Sequence, residues 1–99
     1  MTSIFLLGTV RSEPIEQSVD DDTQCTFRLS TTGPSNEPIV TSVQVDGQRA
    51  RWLLDSQRLT AGAHVVVYGE LDRNGLTGSY TVKARAVAFD EYLMDSGHV

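Results

Sequence analysis

The chain opens with an apolar run, Ile4-Phe5-Leu6-Leu7, broken by Gly8 and followed by a charged stretch around Pro14. This run predicts a first strand over residues 3–11, with Gly8 marking a bulge or sharp bend, since it lacks a Cβ. Residues on both faces are apolar, as expected of a strand that bends and pairs on two sides. Residues 15–19 continue that strand or form a short one of their own, and the acidic triplet 20–22 reads as a turn. Over 24–31, Cys25, Phe27 and Leu29 alternate with Thr26, Arg28 and Ser30, the period of two of a half-buried strand. Residues 31–38 collect Gly, Pro, Ser and Asn and predict a loop. Val43 and Val45 then alternate with Ser42, Gln44 and Asp46 in a third strand ended by Gly47.

The period lengthens over 48–59, where Ala50, Leu53 and Leu54 fall at helical spacing, so a short helix is expected there. Trp52, beside these leucines, is expected to be buried in the core or at a subunit contact. Residues 64–71 are rich in valine and predict a strand, and Asn74-Gly75 is the strongest short hairpin signal in the chain. In the return strand, 79–89, Val82, Ala84, Ala86 and Ala88 alternate with Thr81, Lys83, Arg85, Val87 and Phe89. Three strands, one short helix and a two-strand hairpin make the layout of a five-stranded, antiparallel Greek-key barrel of the OB type, all-β, with its helix between strands 3 and 4. Residues 1–99 form one domain, with a core over about 3–92. In such a barrel the first strand must bend, which accounts for its glycine.

Composition narrows the function. The chain has 99 residues, enough for one compact core. Its apolar runs fall far short of the roughly 20 residues that span a bilayer. No basic segment followed by an apolar one opens the chain, and Cys25 stands alone, so a cytoplasmic protein with a buried, inert thiol is expected. The net charge of −5 opposes attraction to phosphate. Yet seven of the eight basic residues are arginine, whose planar fork grips phosphate oxygens locally even on an acidic protein. Nucleophile, phosphate-loop and dinucleotide motifs are missing, and neither the two histidines nor residues 20–22 have metal-ligand spacing. The expectation is a protein that is not an enzyme and uses no cofactor or metal.

Five segments in order, "IFLLGTVRSEP", "CTFRLST", "VQVDGQRARWL", "LTAGAHVVVYGEL" and "GSYTVKARAVAFDEY", resemble the bacterial single-stranded DNA-binding protein family. They span residues 3–92. "LGTV", "NGL" and the terminal "DSG" are similar to the primosomal single-strand-binding relatives. The resemblance implies binding of single-stranded DNA, with RNA the second candidate, by a homodimer or homotetramer serving replication, repair or restart alongside other proteins of those processes. Arg28, Lys83 and Arg85 on outward strand faces and Arg73 at the hairpin are the candidate phosphate contacts. Tyr68 and Tyr80, flanking the hairpin, are the candidate stacking platforms. The outward positions Val40, Ser42, Gln44 and Asp46 lack the aromatic residues on which the family stacks bases, so weak, largely sequence-independent binding is expected. The alternative is an OB-type interaction or self-assembly module that has lost its nucleic-acid face.

Overall fold

The computed structural model describes residues 2–73 and 80–89, apart from the side chain of Arg73. Along them run β1 (Thr2–Val10), β2 (Ile15–Val19), β3 (Asp22–Thr32), β4 (Pro38–Asp46), α1 (Gly47–Ser56), β5 (His64–Arg73) and β6 (Tyr80–Phe89). The strands pair in the order β1-β5-β6-β4-β3-β2. The end of β1 also pairs with β3, Thr9 opposite Ser30 and Val10 opposite Leu29, and this closes five strands into a barrel. The chain thus has the expected all-β OB architecture, with its helix between the third and fourth barrel strands. β2 is a separate short strand on the outer side of β3. The hairpin joining them turns through Asp20 and Asp21, both at positive φ (50° and 66°), where short polar side chains are tolerated.

The structure departs from expectation in several places. The barrel is not wholly antiparallel, because β4 and β6 run parallel where Ser42–Gln44 meet Thr81–Lys83. Residue periodicity reports which side chains turn inward and says nothing of strand direction. Of the bulge or bend expected at Gly8, the bulge is excluded, since β1 pairs with β5 without interruption from Thr2–Leu71 to Thr9–His64. A Cβ at Gly8 would instead collide with the carbonyl oxygen of Ser30, so glycine lets β1 lie against β3 where the barrel closes.

The bulge lies in β6. Tyr68 pairs with Ala86 and Gly69 with Ala84, which leaves Arg85 as the extra residue. Gly69 permits this, because any Cβ there would strike the backbone of Lys83. The extra residue reverses the alternation expected for 79–89. Val82 and Ala84 face inward as the pattern predicts, but beyond Arg85 it is Val87 and Phe89 that pack on the core, while Ala86 and Ala88 are exposed.

Phe27, Leu29, Val43, Val45, Val65 and Val67 fill the barrel and are almost wholly buried. Each such side chain contributes about 1.5–3 kcal/mol by leaving water. Ala50 and Leu53 of α1 add to this core from one side, and the helix packs chiefly on β3. α1 stops earlier than its apolar spacing predicts. Ser56 Oγ donates to the carbonyl of Leu53 at 2.7 Å, and Gln57 turns left-handed (φ 58°) with its N–H on the carbonyl of Leu54 at 3.4 Å. Leu59 is buried from the following loop.

Candidate nucleic-acid interface

The alternation that buries Phe27, Val43 and Val82 turns their neighbours outward, and pairing sets those neighbours in rows. Arg28, Ser42 and Thr81 form one row across β3, β4 and β6, and Thr26, Gln44 and Lys83 form the next. Arg28 and Lys83 are therefore two strands apart, about 10 Å across the sheet. Gln44, Asp72, Thr81 and Lys83 line a shallow depression of about 320 Å³ on this face.

Carboxylates shape the electrostatics. Lys83 Nζ lies 3.5 Å from Asp72 Oδ2, and Arg85 forms an ion pair with Glu70. The Lys83–Asp72 pair is exposed on both sides, where such pairs contribute about 0–1 kcal/mol, whereas Glu70 of the second pair is the more sheltered partner. Arg28 makes no ion pair among the described residues. The carboxylate of Asp46 accepts hydrogen bonds from Gln24 Nε2 (3.2 Å) and Gln44 Nε2 (3.1 Å), rather than capping α1.

The other sequence candidates lie elsewhere. Tyr68 is on the outside of β5, opposite Phe5 of β1 and Ala86 of β6. Tyr80 pairs with Arg73 at the opposite phase of the ribbon, so the two tyrosines do not share a face. Arg73 is the last residue of β5. The Asn74-Gly75 turn lies outside the described residues.

Cys25 is buried, as expected, and burial, aided by the Glu16 carboxylate, pushes its thiol up to about 11. It is not a nucleophile at neutral pH. Arg51 joins α1 to β2 through Glu16 at 2.9 Å.

Of the two placements expected for Trp52, the core is excluded, since its side chain is 58% exposed in the single chain. It lines a groove of about 420 Å³ between α1 and β6, together with Arg49 and Arg85. Helical periodicity carried the signal: Gln48, Arg49 and Trp52 share a face at spacings of four and three, one step around from the buried Ala50 and Leu53.

No protein-family model and no curated protein matches the chain. Among solved structures it is similar to the second single-stranded DNA-binding protein of Mycobacterium smegmatis, at 27% identity and a TM-score of 0.80, over 93% of this chain and 91% of that one. The chain is a structural relative of the bacterial single-stranded DNA-binding proteins. The small single-stranded DNA-binding protein of Streptomyces coelicolor shares the fold at 23% identity (TM-score 0.72, 93% of this chain and 96% of that one). So does the N-terminal domain of PriB from Thermoanaerobacter tencongensis, a dimeric structure, at 18% identity (TM-score 0.71, 89% and 94%).

Proposed function

We propose that the protein is a non-enzymatic, cytoplasmic single-strand binder that holds DNA across the outer face of β3, β4 and β6, in replication, repair or restart. The observation that carries this reading is the set of three outward cations, Arg28 on β3 and Lys83 and Arg85 on β6, flanking β4 on a barrel whose relative from Mycobacterium smegmatis is a single-stranded DNA-binding protein. Binding is weak and largely indifferent to sequence. Two of the three cations must exchange a carboxylate for a phosphate, and the outward residues Ser42, Gln44 and Asp46 give bases no ring to stack on.

The protein acts as a homodimer, or a homotetramer built from such dimers. From Thr2 to Gly8, β1 pairs with β5 on one side only, which leaves a strand edge open to a second copy. Phe5, Leu7 and Tyr68 are exposed beside that edge.

The test is a low-salt titration of labelled oligo-dT, read by anisotropy, with oligo-rU in a parallel arm. Saturable binding is expected, with log affinity falling against log salt at a slope of about −2, as three phosphate contacts on a single strand require. Arg28→Glu combined with Arg85→Glu should abolish binding and leave oligomer size unchanged. No anisotropy change at high micromolar protein overturns the reading in favour of an assembly module without a nucleic-acid face.

A further inference from the structure

The groove between α1 and β6 arises because the two strands flanking it part company. β4 and β6 pair only from Ser42 to Gln44; then β4 runs into α1, and the bulge at Arg85 bends β6. The wedge left between them has an apolar floor of Leu53 and Val87, an exposed indole at Trp52, and a polar rim of Gln48, Arg49 and Arg85. Its 420 Å³ is at the small end of ligand pockets. Arg49 makes no ion pair among the described residues, so this acidic chain presents an uncompensated guanidinium here.

We infer that this groove is a subsite for one unstacked nucleotide of a bound single strand, its base on Trp52 and its phosphate between Arg49 and Arg85. The inference rests on the single-strand reading and extends it to residues outside the β3–β4–β6 face. Three features favour a nucleotide as occupant. An indole offers a flat surface to any base, whatever its identity. Two guanidiniums complement a phosphate, and the amide of Gln48 can meet a base edge. Lys83 and Arg85 lie on the same strand, so a backbone crossing the outer face at Lys83 is led into the groove at Arg85. Arg85 is thus the joint between the two surfaces, and Glu70 is the carboxylate a phosphate must displace from it.

The chain has a single tryptophan, which makes the site its own reporter. Labelled oligo-dT is titrated while anisotropy and Trp52 emission are recorded together. Emission should be quenched over the same concentration range in which anisotropy rises. Trp52→Leu should weaken oligo-dT binding about tenfold with an unchanged circular dichroism spectrum, since stacking is lost from an exposed position. Arg49→Gln should reduce the quench and weaken oligo-dT binding a few-fold, Arg85 keeping its hold on the shared phosphate. A rise in anisotropy with unchanged emission overturns the subsite and leaves the outer-face reading standing, whereas no change in either signal removes both. Protection of Trp52 from iodide in the DNA-free protein would mean that a second copy covers the indole, and overturns the subsite. Quenching by an acidic, aromatic peptide at lower concentration than by oligo-dT would make the groove a protein site and also overturn it.

Discussion

The two outer halves of the barrel enclose one continuous core and present opposite chemistry to water. Around β3 and β4 the outward residues include Gln24, Thr26, Arg28, Ser42, Gln44 and Asp46, with Val40 the apolar exception, and amide–carboxylate hydrogen bonds tie Gln24 and Gln44 to Asp46. Around β1 and β5 they are Phe5, Leu7 and Tyr68, with Phe5 68% exposed, and the β6 bulge turns Ala86 and Ala88 out beside them. Inward positions of both halves obey the same demand for apolar volume, so only the outward positions are at liberty to specialise. A run of exposed apolar side chains beside a strand edge suits another protein surface. Hydrogen-bonded polar rows with arginine and lysine suit a solvated phosphate chain. One small barrel therefore assigns assembly and ligand to different sides.

The sharpest way to break this division is to charge the apolar half. Phe5→Asp with Tyr68→Asp should weaken self-association by about 3 kcal/mol or more, as loss of central aromatic anchors does, while the protomer stays folded. Sedimentation over a concentration series reads it, and an unchanged distribution would remove assembly from that side. The next effect concerns the core beneath the polar half, where Cys25 lies. Its thiol ionises near 9 when unfolded and about 11 when folded, so the unfolded chain releases its proton first as pH rises. The stability this group contributes is complete below pH 9 and lost between pH 9 and 11, by about 2–3 kcal/mol relative to Cys25→Ala in urea unfolding.

The joint between the halves should respond more mildly. Gly8→Ala pushes a methyl toward Ser30 where β1 leaves β5 for β3, and should cost about 1–3 kcal/mol in urea. Ser3→Ala, exposed on the same strand, should stay within about 0.5 kcal/mol. Equal losses would show that closure at Gly8 is not tight. Smallest of all, Arg28→Gln should lower oligo-dT affinity only a few-fold and the salt slope by about 0.7, with sedimentation unaltered. A shift in oligomer size from Arg28→Gln would place assembly on both sides.

Much of the fold was legible in sequence because it depends on local alternation. Cys25, Phe27 and Leu29 face inward in register with Val45, Val43 and Thr41, and Arg28 faces out between them. The same rule failed for β6 only beyond Arg85, because a bulge needs a partner strand to define it, and that partner, Gly69, lies sixteen positions earlier. The candidate site was legible in part. Arg28 and Lys83 lie on neighbouring rows as alternation predicts, whereas Tyr68 and Tyr80 separate onto opposite faces once their strands pair. The leucine neighbours of Trp52 point to the core or a subunit contact, whereas its helical face groups it with Gln48 and Arg49, outside the core.

By itself the sequence determined which side chains are hidden on β3 and β4, that Ala50 and Leu53 of α1 face the core, and where the chain turns at Asp20-Asp21, since each depends on residues within a few positions and on backbone period. Only the tertiary structure decided the parallel contact of β4 with β6, the need for glycine at position 8, the reversal after Arg85 and the groove beneath Trp52. Each of these arises where segments distant along the chain come within van der Waals reach, and no local pattern encodes that distance.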